Sequence, residues 1–518
     1  MEQKVTDTIV AVATPHGKGG LAVIRVSGPE AFSLVEKMWR GKQLGSCESH
    51  TAHLGLLIQE DGTVLDQAVA TLFRAPNSFT GEDTVEISVH GSRWIQRETI
   101  NRLVRLGARP AGPGEFSQRA FMNGRMDLAQ AEAVADLISA GSKAAHRLAM
   151  QQMSGAFSHK LEELRRQLVH FCSLLELELD FSEEDVEFAD RSALIASATE
   201  TLRVVRRLAH SYATGKVFKE GVPVAIAGAP NAGKSTLLNR LLDDDKAIVS
   251  DIPGTTRDVI EDTREIRGTL FRFFDTAGLR DTDDTVERIG IERAKERIGR
   301  AAVTLWVIDP SQPLRPQTEQ FLPNAGTGDS VHILVINKSD LTSPEMSGED
   351  ATAESDLTSP EKSGTDTTAE SDLTSPKISD AKEIAASDLT SPKISDAKEI
   401  AENLKEYTGA NFDKCHVISI SAKTGEGLGE LEEALLRASV TDHDPDSELI
   451  VTNARHYEAL TAGAEALDRA ITGLQTGVPT DLVAQDVRES LHHLGLVTGA
   501  VTTSDILTSI FQNFCIGK

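Results

Sequence analysis

Eight residues, Gly228-Ala229-Pro230-Asn231-Ala232-Gly233-Lys234-Ser235, lie between an apolar run at 222–227 and the helix-like start Thr236-Leu237-Leu238. A strand, a G-x-x-x-x-G-K-S loop and a helix, in that order, form the setting in which such a loop holds phosphate. Main-chain amides of the loop and of the helix N-terminus converge there on the oxygens. Asn231, Ala232, Gly233, Lys234, Ser235 and Thr236 are therefore candidate triphosphate contacts. Lys234 is expected to reach the β and γ phosphates, and the Ser235 hydroxyl to ligate Mg²⁺. The bland alternative, a glycine turn that merely joins strand to helix, is disfavoured by the apolar strand in front of it.

Three further elements follow in order. Phe271-Arg272-Phe273-Phe274 reads as a strand ending in Asp275-Thr276-Ala277-Gly278, which puts a carboxylate at the outer shell of the metal and a glycine beside the γ phosphate. Ile333-Leu334-Val335-Ile336 reads as a buried strand ending in Asn337-Lys338-Ser339-Asp340. A carboxylate at 340 can accept the N1 and N2 hydrogens of guanine together, a pair that adenine does not present. Val417-Ile418-Ser419-Ile420 leads to Ser421-Ala422-Lys423, which would complete the base pocket. Alone, N-K-x-D is a weak signal; third in this series it selects GTP over ATP.

For hydrolysis, the loop Ser250-Asp251-Ile252-Pro253-Gly254-Thr255-Thr256-Arg257-Asp258 stands where a first switch loop belongs, and Thr256 would complete the Mg²⁺ shell. An ordinary Gly/Pro turn is the other reading. Position 279 is Leu, which cannot orient water, although a Gln commonly does so at that place. Glu287 is the candidate replacement; flanked by Asp281, Asp283 and Asp284, it also fits a plain solvated acidic loop. Asn231 offers an amide oxygen beside the phosphates that could help hold a monovalent cation, and it equally suits a loop chosen for turn geometry.

These loops need elements to hold them. Residues 1–120 alternate strand-like and helix-like stretches, with Leu21-Ala22-Val23-Ile24-Arg25-Val26 read as a buried strand and Thr84-Val85-Glu86-Ile87-Ser88-Val89 as an alternating one. An N-terminal α+β domain is expected. From about 121, Leu148, Met153, Phe157, Leu161, Leu164, Leu168, Phe171 and Leu175 recur at helical spacing on one face of a long helix. Glu183-Glu184-Asp185 interrupts, and helix resumes to about 212. Helical pattern returns after 450 through Leu460, Ala464 and Leu467. Helix on both sides of an α/β block suggests an insertion: a helical domain from 121–215 and 441–518, with a nucleotide domain at 216–440.

Within that block the unit Ser-Asp-Leu-Thr-Ser-Pro starts at 339, 355, 371 and 387. Only the first copy follows Asn-Lys after a strand, so Asp340, and not Asp356, Asp372 or Asp388, is the expected base reader. The polar, Pro-containing stretch 341–402 has almost nothing to bury and reads as a disordered or weakly helical expansion; a docking role is the lesser alternative.

A length of 518 residues predicts about three domains. The net charge of −26 is unevenly spread: residues 1–120 hold 13 basic and 13 acidic side chains, whereas 341–402 holds 5 and 15. That balance argues against indiscriminate polyanion binding but leaves room for a local basic patch. No run of about 18 apolar residues suggests a membrane span. The start Met1-Glu2-Gln3-Lys4-Val5 lacks the layout of a secretory signal. Cys47, Cys172, Cys415 and Cys515 show no metal-type spacing, and a cytoplasmic location is expected.

Taken with Arg119-Ala120-Phe121-Met122-Asn123-Gly124-Arg125-Met126-Asp127-Leu128-Ala129-Gln130-Ala131-Glu132-Ala133 and the terminus Phe514-Cys515-Ile516-Gly517-Lys518, these motifs give a clear likeness. The chain resembles the tRNA-modification GTPase MnmE (TrmE) family over nearly its whole length, the repeats excepted. The resemblance implies an α+β folate-binding-like N-terminal domain, a helical domain and an inserted Ras-like P-loop G domain with a mixed sheet. It implies a homodimer whose GTP hydrolysis is accelerated by K⁺ and by pairing of the G domains. By that likeness Asn231, Ser250, Ile252 and Thr255 surround K⁺, partly through backbone carbonyls, and Glu287 matches the family's water-orienting glutamate.

The same likeness implies an FAD-containing partner, MnmG (GidA), in a heterotetramer that builds an aminomethyl-type group on C5 of the tRNA wobble uridine. A reduced folate, 5-formyl- or methylene-tetrahydrofolate, would supply the one-carbon unit. Arg25, Glu82, Arg125 and Lys518 match the folate-contacting positions, although the family often has Lys where this chain has Arg125. From the residues alone, Arg25 on a strand fits either an anion partner or a surface-facing arginine. Cys515 would be reactive if Lys518 favoured its thiolate, or could serve as a small hydrophobe; the family implicates it in the modification step. Two rivals remain: a ribosome-assembly GTPase, which should lack 119–133 and the Cys-Ile-Gly-Lys end, and a slow signalling switch, which should hydrolyse GTP without regard to the cation.

Overall fold

The computed structural model describes residues 7–15, 17–180, 191–243, 262–275, 299, 301–312, 317, 330–341, 416–439, 449–512, 514, 515 and 517. The chain forms two compact units: Met1–Gly221 with Arg267–Leu270 and Thr441–Lys518, and Val222–Ile266 with Phe271–Val440.

The first unit opens with β1 (Ile9–Val12), β2 (Leu21–Ser27), α1 (Ala31–Glu36), β3 (Trp39–Arg40), β4 (Thr51–Ile58), β5 (Val64–Phe73), β6 (Thr84–His90), α2 (Arg93–Leu106) and β7 (Arg109–Pro110). The strands form one sheet in the order β3-β4-β5-β6-β2-β1-β7. Only the β1–β7 pairing is parallel. Residues of α1 and α2 pack with one face of this sheet into an apolar core that includes Ile24, Val26, Leu34, Leu72, Ile87 and Leu103. The reading of Leu21–Val26 as a buried strand holds for alternate residues only. Ala22, Ile24 and Val26 are buried, whereas Leu21 is 69% exposed and Val23 and Arg25 are half-buried. An antiparallel sheet covered on one side must alternate in this way.

Helices follow: α3 (Glu115–Met122), α4 (Leu128–Ser139), α5 (Lys143–Met153), α6 (Ala156–Asp180), α7 (Arg191–His210) and α8 (Tyr212–Glu220). Asp127 caps α4 reciprocally: Gln130 N donates to Asp127 Oδ1 at 2.8 Å and Asp127 N to Gln130 Oε1 at 2.9 Å. The single long helix expected through Leu148–Leu175 is two helices. Gly155, at φ 85°, takes the left-handed conformation that ends α5, so Leu148 sits on α5 and Phe157 through Leu175 on α6. The apolar stripe itself is real: Leu148, Phe157, Leu161, Leu164, Leu168, Phe171 and Leu175 are all buried. α8 carries the helices to Glu220, past the boundary expected at 215. Glu183-Glu184-Asp185 lies outside the described residues.

The second unit contains β8 (Val222–Gly228), α9 (Lys234–Asp243), β9 (Asp262–Ile266), β10 (Thr269–Asp275), β11 (Val303–Ile308), β12 (Val331–Ile336), β13 (His416–Ser419) and α10 (Leu428–Ser439). Its sheet runs β13-β12-β11-β8-β10-β9, and the five strands from β13 to β10 are parallel. β9 enters β10 through Arg267-Gly268, both at positive φ (48° and 91°), as a two-residue hairpin turn demands. The repeats beyond Leu341 lie outside the described residues.

The chain ends in α11 (Ala454–Thr476), α12 (Thr480–Thr498) and α13 (Ser504–Gln512), again in the first unit. Leu460, Ala464 and Leu467 of α11, which packs on α7 and α12, are buried in one helical core that also takes in α6. Among the described residues no helix is long and apolar enough to cross a membrane.

Candidate functional site

In the second unit β8 lies between β11 and β10, so the strand order reverses at its carboxyl end. In open parallel sheets that reversal leaves a crevice beyond the strand ends where ligands bind. The carboxyl ends of β8, β10, β11, β12 and β13 all lie at this edge, because those strands are parallel.

The loop after β8 is shaped by left-handed residues. Asn231 is exposed with φ 62°, a conformation that Asn tolerates better than most side chains. Gly233 has φ 93°, and a Cβ added there would lie 2.1 Å from Asn337 Nδ2. The helix α9 begins at once, with Leu237 N donating to Gly233 O at 2.9 Å. Ser235 and Thr236 in its first turn are exposed, while Ala232 is buried. Lys234 folds back over the loop: its Nζ donates to Gly228 O and Ala229 O, both at 2.8 Å, and the residue is 6% exposed.

Asn337 ties three loops together. Its Nδ2 donates to Ala232 O at 2.9 Å, and its Oδ1 accepts from Ala422 N at 3.0 Å. Ser339 N also donates to Ile420 O at 3.1 Å, closing the β12 and β13 loops on each other. Asp340 Oδ1 accepts from Ser421 Oγ at 2.7 Å, and Ser421 Oγ accepts from Thr424 N at 3.2 Å. One carboxylate oxygen is thereby oriented by protein; the other has no partner among the described residues. Lys338, at φ 64°, pairs with Asp309 at the end of β11. Burial alone would raise the Asp309 carboxyl; hydrogen bonds from Lys338 and Ser311 outweigh it and hold the group below its ordinary range. Asp309 was not singled out from the sequence, although an acid directly after the apolar run at 303–308 is the kind of signal that marks such a loop.

The structure thus brings Asn231–Thr236, Asn337, Lys338, Asp340, Ser421 and Ala422 to one edge; Lys423 is exposed beside them. Asp275 closes β10 opposite Ile226 of β8. Ser250, Ile252, Thr255, Thr256, Thr276, Ala277, Gly278, Glu287 and Lys518 lie outside the described residues.

A second polar cluster belongs to the first unit. Arg25 is half-buried rather than a freely solvated arginine: its Nε donates to Glu86 Oε1 at 2.8 Å, and its guanidinium sits over the rings of Phe79 and Phe116 at 5.1 and 5.5 Å. Glu82 Oε2 accepts from Ser27 Oγ at 2.7 Å, and Glu82 Oε1 accepts from Arg119 Nη1 at 3.2 Å. Arg125 lies over the neighbouring Gly81, where an added Cβ would be 3.1 Å from its Cγ.

Arg119, which sequence reasoning did not mark as a site residue, is the centre of this cluster at 2% exposure. It also donates to Asp7 Oδ1 at 2.8 Å and Glu115 Oε1 at 3.0 Å. Burial would raise the Asp7 and Glu115 carboxyls, but Arg109 and Arg119 together keep both below their usual values. The signal available was an arginine inside the apolar-faced stretch 116–122. The C-terminal tail meets the start of the same helix α3: Gly114 N donates to Cys515 O at 3.3 Å, and the Cys515 side chain is exposed.

Known proteins bear on both clusters. The family model described as "GTP-binding protein TrmE N-terminus" matches residues 8–125, and that described as "MnmE helical domain" matches residues 128–515. A tRNA modification GTPase MnmE of Cytophaga hutchinsonii is 44% identical over 99% of this chain and 98% of its own length. Its counterpart in Bacteroides thetaiotaomicron is 44% identical over 99% of each. Among solved structures, the FeoB G-domain from Methanococcus jannaschii gives a TM-score of 0.22 at 18% identity, covering 42% of this chain and 96% of that one, too poor a superposition to bear on function. With two family models spanning both units and relatives matched from end to end, the chain belongs to the MnmE (TrmE) family, whose relatives named above are called tRNA modification GTPases.

Proposed function

We propose that the chain hydrolyses GTP and couples that cycle to modification of tRNA. The observation that carries the first half is the Asn337 bridge. One side chain ties the phosphate loop at Ala232 to the base loop at Ala422, while Ser421 orients Asp340 for the donor edge of guanine. Loops that contact opposite ends of a nucleotide are thereby held in one geometry before it arrives. Ser235 at the exposed start of α9 is suited to Mg²⁺, with Thr256 as its partner ligand. Lys234 would leave the loop carbonyls for the β and γ phosphates.

The finer reading follows the family likeness. Asn231, exposed and without a protein partner among the described residues, would hold K⁺ together with Ser250, Ile252 and Thr255, and Glu287 would orient the attacking water. The Glu82 carboxylate, fixed by Ser27 and the buried Arg119, suits a pteridine that presents two adjacent N–H donors, as guanine does to Asp340. Arg25, Arg125 and Lys518 would complete a folate site, and the bound folate would supply a one-carbon unit. Cys515 beside Gly114 brings a thiol to the same helix α3. A second copy would cover the open sheet face, where Leu21 and Leu54 are 69% and 64% exposed. The FAD-containing MnmG, joined in a heterotetramer in the cytoplasm, and C5 of the wobble uridine as the modified atom complete the proposal.

The test is the rate of GTP hydrolysis in K⁺ and in Na⁺, for the parent and for Asn231→Ala. The parent should be at least tenfold faster in K⁺, and the variant should lose that preference. Equal rates in both salts would remove the cation mechanism and favour the slow-switch reading.

A further inference from the structure

We propose that the outer face of α2 is a docking surface for tRNA; this rests on the tRNA-modifying role just proposed and names where the RNA would sit. The chain as a whole carries a net charge of −26, yet the fourteen residues Arg93–Leu106 contain four arginines and one glutamate. Gln96, Thr99 and Leu103 point into the core. Arg93, Arg97, Asn101 and Arg105, spaced by four, form a continuous exposed stripe on the opposite side, and the indole of Trp94 stands beside it at 49% exposure.

A second segment adds charge at the same end. Gly19 N donates to Gly91 O and Gly91 N to Gly20 O, both at 3.2 Å, and Gln96 Nε2 donates to Gly17 O at 3.4 Å. These bonds hold the loop carrying the exposed Lys18 against the first turns of α2. The acids nearby are partly committed. Glu60 faces Arg102 at 3.3 Å and Arg105 at 3.7 Å, Glu98 faces Arg105 at 3.8 Å, and both oxygens of Asp66 are taken by His90. Arg93, Arg97 and Lys18 have no carboxylate within ion-pair distance among the described residues.

Three unneutralised cations and a half-exposed indole at one end of α2 suit a nucleic acid better than an acidic protein. The cations neutralise phosphates, and the flat ring offers a stacking surface for an unpaired base, a contact available to any of the four bases. An acidic protein surface would use the charges and leave the indole in water. Duplex RNA would use the charges and not the ring. The occupant that uses both is a folded RNA with unpaired bases.

The experiment measures binding of a full-length, unmodified tRNA transcript to the intact protein between 50 and 250 mM salt. It compares the parent, the double variant Arg93→Ala/Arg97→Ala, and Trp94→Leu, and follows GTP turnover in the same samples. The double variant should bind about tenfold or more weakly at 0.1 M salt, and its plot of log affinity against log salt should be shallower by about 1.4 to 1.8, the release expected for two phosphate contacts. Trp94→Leu should bind about fivefold or more weakly with the parent's salt slope, as loss of one stacked base predicts. GTP turnover should match the parent in both variants. Unchanged affinity and slope would overturn the inference, as would a parent that hydrolyses GTP but does not bind tRNA. So would variants that bind tRNA normally yet lose the FAD-containing partner, since the face would then be a protein interface. Failure of GTP turnover in the parent itself would instead sink the functional reading on which the inference rests.

Discussion

Replacing Glu132 by Gln should destabilise the helical part of the first unit by about 3 kcal/mol at neutral pH, and by less in acid. Glu132 on α4 is 6% exposed as a residue and is enclosed by two consecutive residues of α11. Arg455 Nε donates to its Oε1 at 3.0 Å and Arg455 Nη2 to its Oε2 at 2.7 Å, while His456 Nε2 lies 2.7 Å from Oε2. The same guanidinium donates to the carbonyls of Leu496 and Val497 near the end of α12, so three helices meet at one carboxylate. Burial would raise this carboxyl; the charge on His456 and hydrogen bonds from His456 and Arg455 outweigh it and bring the group down to about 2 from the ordinary 4.5. Each tenfold in a protonation constant is worth about 1.4 kcal/mol, which gives roughly 3 kcal/mol for this group. The folded value is the depressed one, so the contribution is complete above pH 4.5 and drains away as pH falls toward 2.

The assay is urea unfolding of the full chain by far-UV circular dichroism, with and without nucleotide; a ligand that stabilises only the second unit separates its transition from that of the helices. At pH 7 the variant's helical transition should be less stable by about 3 kcal/mol, since Arg455 keeps its charge and loses its counter-charge. At pH 4.0 the gap should shrink by roughly 0.8 kcal/mol, because the unfolded carboxylate is by then mostly protonated. A gap that is negligible at pH 7, or identical at the two pH values, would refute the reasoning.

Two further outcomes concern the nucleotide site. Asp340→Asn should weaken GTP about a hundredfold or more, since two hydrogen bonds to a charged acceptor are lost, and should improve xanthosine triphosphate, whose C2 oxygen can accept from the new amide; titration calorimetry with both nucleotides decides, and unchanged GTP affinity would exclude Asp340 as the base reader. Gly233→Ala puts a methyl 2.1 Å from Asn337 Nδ2 at a φ of 93°, and should weaken nucleotide by about tenfold or more with the circular dichroism unchanged; binding equal to the parent would mean that the Asn337 bridge does not set the loop geometry.

The strand, loop and helix start of the proposed nucleotide edge were readable in the linear order of residues because those signals are local. An apolar run, a glycine-spaced loop and a helix start are set by backbone preferences over about a dozen residues, and 222–243 folds as those preferences dictate. What could not be read is what depends on distant partners. Asn337 looks like a base contact in N-K-x-D; its hold on Ala232, 105 positions away, follows only from β8 and β12 lying on the two sides of β11. The helix break at Gly155 was hidden because apolar residues keep recurring every three to five positions on both sides of it. Arg25 could be read as a solvated arginine until Glu86 was placed opposite it across β2 and β6.

Residue order alone determined which chemical groups exist and which short segments could present them: a glycine-spaced loop between strand and helix, a carboxylate three residues after Asn337, and a helical pattern resumed after a long insertion. Tertiary structure alone decided which groups share an environment. It buried Arg119 among Asp7, Glu82 and Glu115, drawing together positions separated by as many as 112 residues, and it set Glu132 against Arg455 across 323. The physical reason is the same in both cases. A buried charge is tolerated only when an opposite charge is placed beside it, and local sequence carries no record of which distant residue the fold will put there.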